Sequence, residues 1–494
     1  MTKTSDPKKI NSILYVYLPV GEKVMIFPLG IAYLASYVHR LFPEMQQRIL
    51  DLSLIDKRER WKVFKETLRQ GHPDITAFSW RHLRYFGTGF YDEDLRGLRF
   101  NSGRTPMERL SFLFKGFSCW RSYSETFLGN INFIKWAHAN MGQTRILVGG
   151  PGFSIFHRDI SARLPAGVIG CLGEGEKALV DLIRLPEKVP HPDDRPFSVE
   201  KEIRAVDYEY TARIFPDHQR YEGQTIGVET NRGCGQHCVY CPPAARNRTK
   251  VEYRDPDEII KEILGVKKVF STHKIWFVDR LVLSDKGPEN LSCLLRKLID
   301  RAVNISWSGY MRPDIFTAEL ADLIVRSGLS HFIVPVTSGS QRIVDSLKLG
   351  FNVSSVLGGC RLLKEAGYRG SVDVELTLGI LKESAADIEN TFAVYKQIRD
   401  IFKPDLVKPV FNVCSVLPGS EFERDLINRG YLRPKYNPVS LNPIMIKKLF
   451  YVEKVFSRMM KHAYTHSYKA CGKNAVNIGE GVLDHLYKCR GFVS

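Results

Sequence analysis

No stretch of this 494-residue sequence approaches the about 18 to 20 consecutive apolar residues that a membrane-spanning helix requires. Residues 1–9 are polar, and the apolar run that follows, residues 13–18, has the length of a strand. A secretory leader would need a longer apolar segment near the start. We therefore expect a cytoplasmic protein.

Cysteine is also scarce, with ten residues in the whole chain. Without a secretory leader, a disulfide framework is not expected, because cytosolic thiols are kept reduced. An isolated cysteine is usually a small buried hydrophobe. A single group, formed by Cys234, Cys238 and Cys241, is dense enough to be a metal or catalytic site.

Acidic residues are fewer than basic ones, 54 against 71, so the chain carries a net charge of +17. Positive potential attracts nucleic acids, anionic cofactors and acidic partners alike. The Lys and Arg residues are spread along the chain, however, with no basic block, zinc-finger pattern or RNA-recognition signature. We expect no nucleic-acid partner.

The first 185 residues alternate apolar runs with amphipathic stretches, which predicts a parallel sheet with helices on its faces. Residues 84–123, rich in aromatics, Arg and Gly, interrupt this pattern and indicate an insertion over the sheet end or a substrate region. Between residues 185 and 216 closely spaced prolines suit an exposed connection. We predict a first domain over residues 1–190 and a linker over residues 191–220.

Six strand-helix units follow residue 225, and such units predict a partial parallel barrel with its active site at the carboxyl ends of the strands. We expect this barrel over residues 221–430 and a helical extension over residues 431–494. The predicted strands are residues 226–229, 274–278, 304–308, 332–336, 372–376 and 406–413. The predicted helices are residues 256–269, 291–302, 319–327, 341–346, 353–366 and 386–401.

Residues 230–243 follow the first barrel strand and contain Cys234, Cys238 and Cys241. A loop with this spacing can place three thiolates on three corners of a 4Fe-4S cluster and leave the fourth iron open. The open iron can bind the amino and carboxylate groups of S-adenosylmethionine (SAM), and the reduced cluster can break a C–S bond of SAM. The alternative is zinc, which needs four ligands, and no fourth ligand follows at finger-like spacing.

The cysteine spacing, with Tyr240 before the last cysteine, resembles the signature of the radical SAM superfamily. Three further segments resemble that superfamily's ribose motif, adenine-side strand and sixth-strand turn: residues 337–341, 376–380 and 417–421. Asp279 stands where the family usually has a Gly-Glu pair for the SAM amino group, and that pair is absent here. The resemblance implies that SAM is bound by Tyr240, Asp279, Ser338, Ser340, Gln341 and Gly379.

The first domain carries glycines at two strand ends, in residues 148–154 and 173–176, where a large ligand could approach the backbone. Together with residues 28–34, they resemble the cobalamin-binding domain that precedes the barrel in one radical SAM class. No Asp-x-His-x-x-Gly motif is present, so no histidine from that motif is expected on the cobalt. Candidate cobalamin contacts are Trp80, Arg81, Gly149, Gly150, Gly152, Ser154, Gly173, Glu174 and Gly175.

The resemblance implies an α/β fold: a Rossmann-like cobalamin-binding domain, a partial (β/α)6 radical SAM barrel and a small, mainly helical tail. It also implies methylation of an unactivated carbon or phosphorus centre of a small molecule, with electrons from a donor such as flavodoxin or ferredoxin. Ring formation or rearrangement, aminocarboxypropyl transfer and a non-enzymatic cobalamin or iron-sulfur sensor remain alternatives. Arg312 and Glu375 are candidate catalytic residues.

Candidate substrate contacts in the insertion are Arg84, Tyr85 and Tyr91. Cys471 and Cys489 in the tail either bind a soft acceptor or are ordinary thiols. Neither the substrate nor the oligomeric state follows from the sequence.

Overall fold

The structure is a computed structural model that describes residues 10–19, 25–81, 106–184, 205–246, 250–283 and 287–453. Its first domain is a five-stranded parallel sheet with helices on both faces. The strands are β1 (Ser12–Tyr17), β2 (Gln46–Asp51), β3 (Ile75–Ser79), β4 (Arg145–Gly149) and β5 (Ile169–Gly170). The helices are α1 (Leu29–Leu41), α2 (Arg60–Gly71), α3 (Pro106–Asn140), α4 (Pro151–Ser161) and α5 (Glu176–Arg184).

The strand order of this sheet is β2-β1-β3-β4-β5. Apolar residues of α1 and α5 pack on one face, and those of α2, α3 and α4 pack on the other. Because the chain winds in opposite directions on the two sides of β1, a crevice opens at the carboxyl ends of β1 and β3. Ligands of open α/β sheets bind in such a crevice, so the strand order alone marks one edge as functional.

Three elements of this domain, β2, α2 and α4, were not predicted. β2 begins with polar residues, Gln46, Gln47 and Arg48, and it lies at the edge of the sheet, where the apolar signal is weaker. The insertion also differs from its prediction, because residues 106–123 belong to the 35-residue helix α3.

Residues 205–220 were predicted as part of an exposed linker, and this is wrong. They contain α6 (Tyr208–Ile214) and a short 3-10 helix, His218–Tyr221. Tyr208, Phe215 and Tyr221 are buried and surround Phe27 of the first domain, with ring centroids 5.4 to 6.3 Å from it. The prolines that suggested a linker lie earlier, within residues 185–204, outside the described residues.

The barrel sheet contains six parallel strands in sequential order, with β6 and β13 at its ends. All six predicted strands are present, and the predicted α/β fold class is confirmed. The strands are β6 (Ile226–Val228), β9 (Lys274–Phe277), β10 (Ser306–Tyr310), β11 (Leu329–Thr337), β12 (Ser371–Thr377) and β13 (Val407–Asn412). A small antiparallel pair between β6 and β9 consists of β7 (Asn231–Arg232) and β8 (Glu252–Tyr253).

Helices cover the outer face of the barrel sheet, as the periodicity predicts. They are α8 (Pro256–Phe270), α9 (Pro288–Asp300), α10 (Ala318–Arg326), α11 (Gln341–Ser346), α12 (Val353–Glu365) and α13 (Ala385–Phe402). The short helix α7 (Pro243–Arg246) instead follows the cysteine loop and contacts α4 of the first domain. On β12 the residues alternate between buried and half-buried, so one face packs on the helices and the other lines the barrel lumen.

After the barrel come β14 (Cys414–Ser415), α14 (Glu421–Asn428), α15 (Pro443–Lys448) and β15 (Phe450–Tyr451), with β14 and β15 paired antiparallel. The expected mainly helical extension is helical in its described part, residues 431–453, only over the six residues of α15. Its remainder, residues 454–494, lies outside the described residues. Across the described ranges, no helix is both long and apolar enough to cross a bilayer.

A buried ionic network joins α1 of the first domain to the barrel. Arg254 and Glu262 form an ion pair of 2.7 Å, and neither side chain has any exposed surface. Tyr33 of α1 donates a hydrogen bond to Glu262 (2.9 Å) and accepts one from Arg254 (2.9 Å). The backbone N–H of Val206, next to α6, also donates to Glu262. First domain, α6 segment and barrel therefore meet at one set of charges.

We predict that Glu262→Ala lowers the free energy of unfolding by about 3–5 kcal/mol, because Arg254 would be left buried without its counter-ion. Urea denaturation followed by circular dichroism measures the change. The control is Glu209→Ala, which removes the surface partner of Lys268 and should change the free energy by less than about 1 kcal/mol. Equal losses in the two variants would contradict the prediction.

Candidate active site

The segment before the first cysteine is anchored by Asp279, which lies just beyond β9. Asp279 is buried and accepts hydrogen bonds from the backbone N–H groups of Thr230 (2.7 Å) and Asn231 (2.9 Å) and from the Thr230 hydroxyl (2.6 Å). Burial raises the pKa of Asp279 to about 7. Both carboxylate oxygens thus accept hydrogen bonds from the segment before the cysteines, and Asp279 positions the cysteine loop. Its expected contact with the SAM amino group stays a prediction.

The cysteine loop is held at its far end by two backbone contacts of Val239. Its N–H donates to the carbonyl of Leu347 (3.0 Å), and its carbonyl accepts from the N–H of Phe422 (3.0 Å). Between the first two cysteines, Gln236 can accept a hydrogen bond from Arg312 (2.8 Å) through its amide oxygen. The loop is therefore fixed by elements from four parts of the barrel.

The three cysteine side chains of the loop are free thiols and are partly exposed. Burial, together with the nearby thiols of Cys241 and Cys234, raises the pKa of Cys238 to about 11. The structure thus brings the three sulfur atoms within electrostatic reach of one another. Over the described ranges, no three His, Cys, Asp or Glu side chains are arranged to hold a single metal ion. In a 4Fe-4S cluster each thiolate would bind a different iron, and these three cysteines are the residues that would hold it.

Arg232 stands two residues before Cys234 and connects the loop to the first domain. Its guanidinium pairs with Glu229 (2.8 Å), with Glu176 (2.9 Å) and with Glu174 (3.3 Å). Burial alone would lower the pKa of Arg232, but these carboxylates outweigh it and raise the pKa. Glu174, a candidate cobalamin contact, is therefore engaged in an ion pair with the cysteine loop.

The expected SAM-binding serines lie at the carboxyl end of β11, with their hydroxyl groups turned into the protein. The Ser338 hydroxyl contacts that of Thr391 (3.1 Å), and Ser340 donates to Asp387. The Gln341 side chain also bonds within the protein, because its amide oxygen accepts a hydrogen bond from the backbone N–H of Val353 (3.0 Å). Because these side chains bond within the protein, the backbone of the loop is the part that is left to contact a ligand.

Tyr240 lies against the core at the base of the cysteine loop. Burial raises its pKa, with further contributions from Cys238 and from Cys414 of β14. Its ring therefore separates the loop from the strand that follows the barrel.

Glu383 is a site residue that the sequence analysis missed. One oxygen of its buried carboxylate accepts from the N–H groups of Gly379 (2.7 Å) and Ile380 (3.1 Å). The other oxygen is buried and has no hydrogen-bond partner among the described residues. Burial raises the pKa of Glu383 to about 8. The signal for Glu383 in the sequence is an acidic residue four positions after Gly379, the glycine that follows β12.

In the first domain, the glycines after β4 are required by the protein's own backbone. Gly150 has a φ of +98°, and a Cβ there or on Gly152 would lie within 2.9 Å of the Trp80 carbonyl oxygen. Ser154 joins the two glycine segments, because its hydroxyl donates to the Gly150 carbonyl and accepts from the Gly173 N–H, both at 3.0 Å. Gly173 differs, since a Cβ there would meet no described atom within 4 Å.

Three of the remaining cobalamin candidates, Trp80, Gly149 and Gly175, are packed against protein atoms. Trp80 is a buried residue that packs against Phe127 with ring centroids 5.6 Å apart, and its contact with a corrin stays a prediction. A Cβ on Gly149 would touch Cys171 at 3.3 Å, and one on Gly175 would touch Leu34 at 3.2 Å.

Arg81 follows β3 and approaches Tyr17 at the end of β1. Burial raises the pKa of Tyr17, whereas the Arg81 guanidinium lowers it. The Tyr17 hydroxyl is buried, and no described residue makes a well-aligned hydrogen bond with it. A buried hydroxyl with Arg81 beside it therefore lies at the crevice that the strand order marks.

Residues 228–394 match the family model for the radical SAM superfamily. The chain contains a radical SAM domain.

Curated relatives of the radical SAM chain are distant. An uncharacterised methyltransferase of Pyrococcus horikoshii is 21% identical over 256 residues, covering 51% of this chain and 53% of that protein. A tRNA-2-methylthio-N(6)-dimethylallyladenosine synthase of Chloroherpeton thalassium is 27% identical over 257 residues, covering 48% of this chain and 56% of that protein. This chain thus spans about half the length of the curated relatives that it matches.

Solved structures match nearly the whole chain. The radical SAM methyltransferase TsrM of Kitasatospora setae, with cobalamin and a [4Fe-4S] cluster bound, superimposes with a TM-score of 0.62 at 14% identity. The match covers 97% of this chain and 99% of TsrM. The cobalamin-dependent SAM radical enzyme OxsB matches with a TM-score of 0.65 at 14% identity, covering 96% of this chain and 70% of OxsB. The chain therefore shares its fold with these two structures.

The two catalytic candidates of the radical SAM domain have different surroundings. Arg312 is buried and makes a two-pronged ion pair with Asp314 (2.6 and 3.1 Å) and a hydrogen bond to the Gly350 carbonyl (2.7 Å). These contacts hold the Arg312 side chain in place, and its catalytic role stays a prediction. Glu375 is half-buried on the lumen face of β12 and accepts from the Tyr310 hydroxyl (2.9 Å). Arg84, Tyr85, Tyr91, Cys471 and Cys489 lie outside the described residues.

We predict a pH dependence of stability from Glu383. Its pKa of about 8 in the folded protein lies above its ordinary value of 4.5, so folding favours the protonated form. The stability from this preference is complete below about pH 4.5 and is lost as the pH rises toward about 8. Thermal unfolding at several pH values should show wild type losing stability relative to Glu383→Gln over that interval.

The matched control for this titration is the exposed Glu365→Gln, whose pH dependence should follow that of the wild type. Parallel curves for wild type and Glu383→Gln would show that the Glu383 carboxyl is not protonated in the folded protein.

Proposed function

We propose that this protein is a cobalamin-dependent radical SAM enzyme that cleaves SAM reductively and methylates an unactivated carbon, or phosphorus, of a small molecule. One observation carries the proposal: a three-cysteine loop at the barrel is ion-paired, through Arg232, to the carboxyl edge of the first sheet. Two cofactor sites are thereby held next to one substrate space. The cofactors named for TsrM and OxsB support this proposal.

The chain's own residues supply position and exclude solvent. Cys234, Cys238 and Cys241 would hold the cluster, and Asp279 and Val239 fix the two ends of their loop. The backbone around Ser338, Ser340 and Gly379 would contact SAM, beside the Tyr240 ring. When bound, the cluster supplies one electron for cleavage of SAM, and the corrinoid supplies a metal centre for methyl transfer. A donor such as flavodoxin or ferredoxin would deliver the electron.

The first-domain edge fits a large ligand in two respects. The space beside Gly173 is open to a distance of 4 Å among the described atoms, and the buried hydroxyl of Tyr17 lacks a partner there. We assign the cobalamin contacts to Gly173, Glu174 and Gly175 on one side and to Arg81 on the other. Gly149, Gly150, Gly152 and Ser154 shape this edge through contacts within the protein.

We expect Cys234→Ala, Cys238→Ala and Cys241→Ala each to abolish the iron-sulfur absorbance and the reductive cleavage of SAM, because a cluster with two protein ligands is not retained. Iron content, the visible spectrum and chromatography of the SAM products measure these effects after anaerobic reconstitution. The control is Cys293→Ala, which removes an exposed thiol on α9. Wild-type iron content in any of the three loop variants would contradict the proposed ligands.

The products of the reaction distinguish methylation from its alternatives. S-adenosylhomocysteine together with 5'-deoxyadenosine indicates methylation, deoxyadenosine alone indicates rearrangement, and methylthioadenosine indicates aminocarboxypropyl transfer. A protein that cleaves no SAM under reducing conditions would be a sensor.

We further expect Arg81→Leu to change the visible spectrum of bound cobalamin. In the proposed site the Arg81 guanidinium would lie close to the corrin, so its removal would change the surroundings of the cofactor and its absorbance. The control is Arg158→Leu, on an exposed turn of α4, which should keep the wild-type spectrum. Identical spectra for all three proteins would remove Arg81 from the cobalamin site.

A further inference from the structure

The lumen face of the barrel carries an acidic and aromatic set of side chains that the cofactors do not account for. Alternation along the strands places Trp276, Tyr310, His331, Asp373 and Glu375 on this face. All five are partly exposed. Their neighbours on the opposite face of the same strands, such as Phe277, Phe332 and Val374, are fully buried against the helices.

These lumen side chains form two pairs beside one indole ring. Tyr310 donates to Glu375 (2.9 Å), and His331 lies 3.1 Å from Asp373. The Trp276 ring lies 5.9 Å from the Tyr310 ring and 6.5 Å from the His331 ring, measured between centroids. An aromatic wall therefore stands opposite two carboxylates.

The position of each pair along the strands decides which one faces the cysteine loop. Tyr310 ends β10, and Glu375 is two residues from the end of β12, so this pair lies toward the carboxyl ends of the strands. His331 and Asp373 lie nearer the opposite ends. Because the cysteine loop follows the carboxyl end of β6, Glu375 belongs to the half of the lumen next to the candidate active site.

The described basic side chains on the lumen face lie in the half that is farther from the cysteine loop. Lys274 begins β9, and Lys408 is the second residue of β13 and aligns with Asp373. Nearer the loop, the carboxylate of Glu229 is paired with Arg232. No ion pair of Glu375 with a described basic group is present. In a chain with a net charge of +17, this part of the lumen is acidic.

We propose that this half of the lumen binds a planar molecule that carries a basic amine or a ring N–H group. Its donor would hydrogen-bond to Glu375, which Tyr310 orients, and its ring would pack against Trp276. The inference rests on the proposed function, since it names the substrate class for that site. A carboxylate accepts hydrogen bonds only, so an anionic group of the same size would be repelled.

Two probes with the same ring test the proposal: naphthylmethylamine, which is a cation, and naphthylacetate, which is an anion. Isothermal titration calorimetry of the anaerobic holoenzyme should show binding of the amine at least about tenfold tighter than binding of the acetate, as expected for one charged hydrogen bond. Equal affinities, or tighter binding of the acetate, would overturn the proposal without any variant.

Glu375→Gln should remove the preference for the amine, and Tyr310→Phe should weaken it, because Glu375 would lose its orienting hydrogen bond. The control is Asp322→Asn on the exposed surface of α10, which changes the net charge equally and should keep the wild-type preference. A full preference in Glu375→Gln would overturn the role of that residue. Binding heats need no SAM cleavage, so a failure of the proposed function would leave this difference standing.

Discussion

The burial of Arg232 and Arg254 on the ring of Tyr33 is the constraint on which the rest of the structure depends. Each guanidinium carbon lies 5.6 Å from the ring centroid, so one side chain of α1 contacts both charges. A buried charge is tolerated only when it is paired and hydrogen-bonded. Four carboxylates, from Glu174, Glu176, Glu229 and Glu262, satisfy this requirement. The first domain and the barrel therefore cannot shift independently without exposing or separating these ions.

This constraint has a consequence for chemistry that depends on position. Buried ion pairs add little net stability compared with apolar packing, but breaking one is costly. Their main effect is therefore to favour one arrangement of the two domains over others. Here the arrangement includes the residues next to Cys234 and the segment that contains Gly173. Two cofactor surfaces on different domains are thus held in a fixed relation. Transfer between two bound groups and a substrate requires such a fixed relation, because small displacements reduce rates strongly.

Sequence periodicity predicted the barrel well and its interior poorly. The six strands were found because alternating apolar residues reveal which face of a strand is buried, and the cysteine loop was found because its spacing is local. The surroundings of Trp80 and part of those of Arg312 were not visible in the sequence, because Phe127 and Gly350 lie 47 and 38 residues away in the chain. The same limit hid the role of Asp279, whose partners Thr230 and Asn231 are 49 and 48 residues away. A pattern within one strand does not contain those neighbours.

Hydrogen bonds within the protein also reduce the number of polar side chains that are available to ligands. At the barrel mouth, the side chains of Asp279, Arg312, Ser338 and Ser340 are each occupied by hydrogen bonds to the protein. Polar groups with remaining hydrogen-bonding capacity near the candidate sites include the Tyr17 hydroxyl at the sheet crevice, one oxygen of Glu383 after Gly379, and the half-buried Glu375 in the lumen. Because buried polar groups are normally satisfied, these positions are candidates for contact with a ligand. In the proposed reaction they would face the two cofactors and the substrate.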